Sequence, residues 1–185
     1  MSSEMKLRPA GYSPVAKTFH WAVAVLVMGI IPAGIIMTNL SSGPFQNNLY
    51  DLHRSFGTLI LGLMAARIGY RLMHGSPAPE ASLKRWEVIV SETVHGLLYV
   101  LVVGTALMGW AGTSAYGATI RVFGLFTLPP LLAKDQAFGE TLLGIHGKLG
   151  FLVGLVALLH IGAALQHYVI KKDGVLQRML PARRS

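Results

Sequence analysis

Three long stretches of this chain carry no charged side chain, and no other feature limits its fold as severely. Residues 21–37, 93–120 and 149–170 are free of Asp, Glu, Lys and Arg, and residues 142–147 extend the last run backwards across Lys148. A membrane-spanning helix needs about 20 mainly apolar residues, so each run fits one span. A fourth segment, residues 52–73, is apolar except for Arg54, Arg67 and Arg71. Helix breakers separate the segments: Ser41-Ser42-Gly43-Pro44, Gly75-Ser76-Pro77-Ala78-Pro79 and Leu128-Pro129-Pro130. The pattern predicts one all-α membrane domain over residues 1–185, a bundle of four transmembrane helices near residues 14–38, 48–73, 88–113 and 141–170. Residues 122–133 are apolar but too short to span and contain two prolines, so they are expected to form a loop over one end of the bundle. The first apolar run lacks an A-x-A-like cleavage site and follows a histidine, which points to a retained anchor.

Charge placement supplies the topology. Only 13% of the residues are charged, about half the share in soluble domains. Yet 16 Lys and Arg face 8 Asp and Glu, a net charge of +8. Lys6, Arg8 and Lys17 precede the first span, Arg67, Arg71, Lys84 and Arg85 surround the middle connection, and Lys171, Lys172, Arg178, Arg183 and Arg184 follow the last span. These twelve fall on one side, and only Arg54, Arg121, Lys134 and Lys148 fall on the other. By the positive-inside rule both termini and the middle connection are expected in the cytoplasm. The basic excess is thereby a topology signal. No basic run is interleaved with aromatics on a soluble module, so nucleic acid is not an expected partner.

Histidine carries the candidate chemistry. Cysteine is absent, which removes thiolate zinc sites, iron–sulfur ligation and covalent haem attachment. Ser13-Pro14 reads as an N-cap and first helical residue, placing His20 about 9 Å into the first helix. Asn47 or Asn48 is the expected cap of the second helix, with His53 one or two turns in. The fourth helix carries His146 and, fourteen residues on, His160. Fourteen residues return to nearly the same helix face after a rise of about 21 Å. Two level pairs follow: His53 with His146 in the outer half, and His20 with His160 in the inner half. Paired imidazoles from facing helices suit six-coordinate haem iron. Gly57, Gly150 and Ala24 lie four residues beyond His53, His146 and His20, where a flat macrocycle needs clearance, although small residues also serve ordinary helix packing. The single Glu-x-x-His, Glu92 to His95, has no second copy with which to build a di-iron site.

Other polar residues keep alternatives open. His95 reads as a second candidate ligand for the inner haem, a quinone contact or an interior histidine. His167 reads as a quinone contact or an interfacial histidine, and His74 takes no role. Arg54, Lys148 and Arg67 are candidates to neutralise haem propionates, or snorkel to the interface.

The chain resembles the bacterial cytochrome b561 family of di-haem, four-span membrane proteins. The matching motifs are His20-Trp21, His53-Arg54-Ser55-Phe56-Gly57, Ala65-Ala66-Arg67-Ile68-Gly69-Tyr70-Arg71 and His95-Gly96-Leu97-Leu98-Tyr99. They continue in His146-Gly147-Lys148-Leu149-Gly150, in the segment from His160 to Tyr168, and in Lys172 to Pro181. The chain has Gln166-His167 where the family sometimes has paired histidines. The resemblance implies two non-covalent haems b ligated by His20, His53, His146 and His160 in a bacterial inner membrane. It further implies electron exchange with the quinone pool, with superoxide as a donor and ubiquinone as the acceptor. The other function in view is a non-catalytic haem-bearing anchor that relays electrons from a soluble dehydrogenase or hydrogenase partner. A haem-free transporter lined by histidines is the third.

Overall fold

A computed structural model describes residues 11–180. Helix α1 spans Pro14–Asn39, α2 Pro44–His74, α3 Arg85–Tyr116 and α4 Gln136–Gln166, the last continuing into one π-helical turn, His167–Lys171. Each of the four is long and apolar enough to cross a membrane. Between α3 and α4, strand β1 (Arg121–Val122) pairs antiparallel with β2 (Phe126–Thr127).

Local capping chemistry sets where the helices begin. Ser13 Oγ accepts the Ala16 N–H at 3.2 Å, and Pro14 supplies a preset φ at the first helical position. The same proline effect starts α2 at Pro44 instead of at the asparagines three and four residues later. Helix α3 starts at Arg85, ahead of the expected residue 88, because the Glu87 carboxylate reaches back to accept the Lys84 N–H at 2.9 Å. Helix α4 starts at Gln136, ahead of 141, because Asp135 accepts the Phe138 N–H at 3.1 Å. Helices α2 and α3 end at Gly75 and Gly117, whose φ values of 72° and 89° favour a residue without Cβ.

The core lies midway along the bundle and draws on every helix: Val23 and Val27, Ile60 and Met64, Leu101 and Val102, Val153 and Val156. Large apolar side chains such as Val25, Leu72, Leu158 and Ile170 point outward. A bundle that is apolar outside as well as inside is suited to lipid. Helices α3 and α4 approach closely at Gly139, where an added Cβ would sit 2.6 Å from Tyr116 Cα.

The two ends of the bundle differ. One end is closed by the β1–β2 hairpin, which occupies part of the segment expected to be an apolar loop. Ser55 of α2, only 2% exposed, fastens it: its Oγ accepts the Phe123 N–H at 2.9 Å and lies 2.8 Å from Asp51 O and 3.3 Å from Arg121 O. Phe56 and Phe123 meet edge to face at 5.2 Å between ring centres. At the other end, which is rich in Lys and Arg, residues 172–180 fold back as a strap over the start of α1. Lys17 Nζ donates to Leu180 O at 2.7 Å, Trp21 Nε1 to Met179 O at 2.9 Å and Arg178 Nη2 to Ala78 O at 2.6 Å.

Candidate functional site

Helix geometry brings the expected histidines together in the expected pairs. At the hairpin end, the rings of His53 (α2) and His146 (α4) are 5.9 Å apart with their planes at 83°. At the basic end, His20 (α1) and His160 (α4) are 6.2 Å apart at 73°. All four side chains are half-buried, and the fourteen-residue interval on α4 separates the two levels by about 21 Å.

The pairs fit haem on three grounds. Two imidazoles on opposite sides of one metal ion, each at about 2 Å, have ring centres roughly 6 Å apart, which both pairs satisfy. His20 Nδ1 and His53 Nδ1 are buried without a hydrogen-bond partner among the described residues, a costly condition in an apolar medium. Among the described residues no three His, Asp or Glu side chains converge on a metal-sized point, so each pair would suit a metal whose remaining ligands come from a cofactor. The small residues proposed from sequence behave consistently: a Cβ at Gly150 would meet nothing within 4 Å, and one at Gly57 only Ile30 Cδ1 at 3.7 Å.

The levels have different surroundings. His146 Nδ1 lies 2.8 Å from the Thr105 carbonyl. A carbonyl only accepts, so Nδ1 carries the proton and Nε2 keeps a free lone pair. At the basic end a third imidazole, His95 of α3, lies 5.0 Å from His160 and shares a hydrogen bond with Ser91 Oγ at 3.3 Å. Here the Arg67 and Arg71 guanidinium carbons lie 5.2 and 5.7 Å from the Tyr99 ring centre, within cation–π range. Among the described residues neither arginine pairs with a carboxylate. Arg67, Arg71, His95, Tyr99, Tyr70 and the strap residue Met179 face one pocket.

The remaining candidates find other partners or none. Arg54 pairs with Asp51 at 3.2 Å and sits over the Tyr50 ring, while Lys148 is exposed. His167 Nδ1 meets Asp173 Oδ2 at 2.5 Å, tying the π-helical turn to the strap. His74 is exposed and stacks on Tyr70 at 4.1 Å. Sequence reasoning overlooked Arg71, although its i+4 spacing from Arg67 was visible. It also overlooked Thr105, which no single-sequence signal marks.

Comparison with known proteins identifies the family. Residues 11–182 match the family described as prokaryotic cytochrome b561. The chain is 30% identical over 173 residues to cytochrome b561 homolog 2 of Escherichia coli (strain K12), covering 93% of this chain and 92% of that one. It is 29% identical over 174 residues to the probable superoxide oxidase CybB of Yersinia pestis, covering 94% and 98% of the two chains. Against cytochrome b562 of Cereibacter sphaeroides it is 26% identical over 190 residues, covering 94% and 97%. With four spans and a family match across nearly its whole length, the chain belongs to the prokaryotic cytochrome b561 family of bacterial membrane electron-transfer proteins.

Proposed function

We propose that this protein is a quinone-linked oxidoreductase that carries electrons through two haems b, one at each histidine pair, between the two faces of the bacterial inner membrane. The observation that carries the reading is the presence of two level imidazole pairs on one bundle, 5.9 and 6.2 Å between ring centres. Haem b, when bound, would supply a one-electron couple at each pair. His53 and His146 hold the outer group, and His20 and His160 the inner one. Arg67 would serve the propionates of the inner group: it is half-buried, pairs with no carboxylate among the described residues and lines the inner pocket.

The basic end suits ubiquinone. His95 is the quinone contact on this reading, because it faces the pocket and its Nδ1 meets a hydroxyl, whereas the His167 Nδ1 is engaged by Asp173. The 12-to-4 division of Lys and Arg supports a cytoplasmic position for this end and for both termini. At the opposite face Arg121, Lys134 and Lys148 are exposed and would favour approach of a small anion. The similarity to a probable superoxide oxidase supports superoxide as that anion. The balance is two superoxide ions oxidised to dioxygen, with one quinone taking two electrons and two protons to become quinol.

The test uses the full-length protein purified in detergent with no partner. Two haems per chain, b-type reduced bands and superoxide-driven ubiquinone reduction are expected. A preparation without haem absorbance refutes the reading. Haem without quinone reduction, restored only by a soluble dehydrogenase, identifies a relay subunit instead.

A further inference from the structure

Both imidazoles at the hairpin end rest against a glycine of a neighbouring helix. A Cβ built on Gly109 of α3 would lie 2.9 Å from Cε1 and 3.0 Å from Nδ1 of His146. One built on Gly34 of α1 would lie 3.1 Å from Cε1 and 3.5 Å from Nδ1 of His53. Carbon atoms pack best at about 3.5–4.0 Å, so an alanine at 109 forces the His146 ring to retreat by roughly half an ångström or more. The basic-end pair has no such neighbour among the described glycines.

The retreat has a chemical consequence. Thr105 and Gly109 are four residues apart on α3, so they share a face. The ring reaches the Thr105 carbonyl, 2.8 Å from Nδ1, by lying close over the missing side chain of Gly109. Thr105 Oγ1 has no partner among the described residues, so the hydrogen bond between Thr105 and the ring is made at its carbonyl. A methyl group at 109 pushes Nδ1 away from that carbonyl, and the hydrogen bond lengthens or breaks.

We propose that Gly109 is a positioning residue for His146. By admitting the ring to the Thr105 carbonyl it fixes the Nδ1–H tautomer, aims Nε2 toward the space shared with His53 and raises the basicity of that nitrogen. Gly34 only leaves room for the His53 ring, whose Nδ1 has no hydrogen-bond partner among the described residues. The inference rests on the proposed function insofar as these two histidines are taken as axial ligands. Hydrogen bonds from a ligating histidine to an outer partner typically alter metal affinity about 10- to 100-fold.

The experiment compares Gly109→Ala, Gly34→Ala and, as control, Gly104→Ala, where an added Cβ meets nothing within 4 Å. In Gly109→Ala, the haem that depends on His146 should be retained about 10- to 100-fold less tightly. Its midpoint potential should rise, since a less basic imidazole stabilises ferric iron less. The other haem and the Gly104→Ala protein should match wild type. Gly34→Ala should weaken the same haem by a smaller factor. An unchanged potential and affinity in Gly109→Ala, or equal changes at both haems, overturns the proposal. The His146 Nδ1–H resonance, observed by nitrogen-15 NMR in haem-free protein, provides a separate readout. It should shift toward a weaker hydrogen bond in Gly109→Ala, and an unshifted resonance also overturns the proposal. Absence of haem from the wild-type protein would instead strike at the functional reading and leave this resonance as the test of Gly109.

Discussion

Removing one imidazole at a time tests the pairing directly. In His146→Ala, His53 keeps its place on α2 but loses the ring 5.9 Å away. A single remaining axial ligand cannot hold six-coordinate iron, so haem content should fall from about two per chain to about one, halving the b-type band amplitude. His53→Ala should remove the same haem, recognised by the same missing step in a redox titration. The double variant His53→Ala/His146→Ala should retain as much haem as either single variant, because both changes act on one group and are not additive. By contrast His20→Ala/His146→Ala strikes both levels and should leave essentially none. His95 provides the internal challenge, since its ring is 5.0 Å from His160, closer than His20 at 6.2 Å. If His95→Ala empties the basic-end site while His20→Ala leaves it filled, the pairing is wrong. The reasoning also fails if the variants at 146 and 160 lose the same haem.

Other expected outcomes concern the frame that holds these pairs. Ser55→Ala removes the acceptor of the Phe123 N–H and should cost about 1–3 kcal/mol, the penalty for stranding a buried donor, seen as a lower melting temperature and faster amide exchange in the hairpin. Gly139→Ala drives a Cβ into the Tyr116 backbone and should destabilise by about 1–3 kcal/mol or more, whereas Gly144→Ala, in open space on the same helix, should be nearly neutral in a detergent unfolding assay. Glu80 is held below its ordinary carboxylate value of 4.5 first by the Ser82 hydroxyl and then by the Ser82 amide. Its folded pKa is depressed, so its contribution is present above 4.5 and fades as pH falls through the lowered value. Ser82→Ala should move the Glu80 titration, followed by carboxyl carbon-13 NMR, back upward.

The four spans and the level pairing could be read from the chain because both depend on simple periodicities. Uncharged runs and Gly-Pro breakers set the helices, and the interval from His146 to His160 set two levels on one face. What escaped depended on contacts between segments remote in sequence. Ser55 holds Phe123 across 68 residues, so the hairpin could not be told from a loop by local composition. Asp135 and Lys84-Glu87 cap helices several residues before their apolar runs begin, which moved two boundaries outward. Gly109 resembles any other membrane glycine until His146, 37 positions away, is placed against it. The Arg67–Tyr99–Arg71 cluster needed the α2–α3 packing, although the arginine spacing alone was a clue.

The two levels offer different chemistry because their neighbours differ. The neighbours of His53 and His146 include two glycines and a backbone carbonyl, groups that fix an imidazole and exchange no protons. That environment suits electron passage, in which the gain of one charge should disturb geometry as little as possible. Beside His160 stands a third imidazole, His95, and His95 lines a pocket with two arginines that pair with no carboxylate among the described residues, two tyrosines and a strap residue. Cations and hydroxyls near a redox group stabilise a negative charge as it develops, which is the demand made by a quinone accepting electrons. On the proposed function, this asymmetry assigns proton-linked chemistry to the basic end and plain electron entry to the hairpin end. It predicts that Arg71→Gln slows quinone reduction while leaving the His53/His146 haem spectrum and potential unchanged. Equal loss at both levels would place the effect of Arg71 in folding and remove this distinction between the two ends.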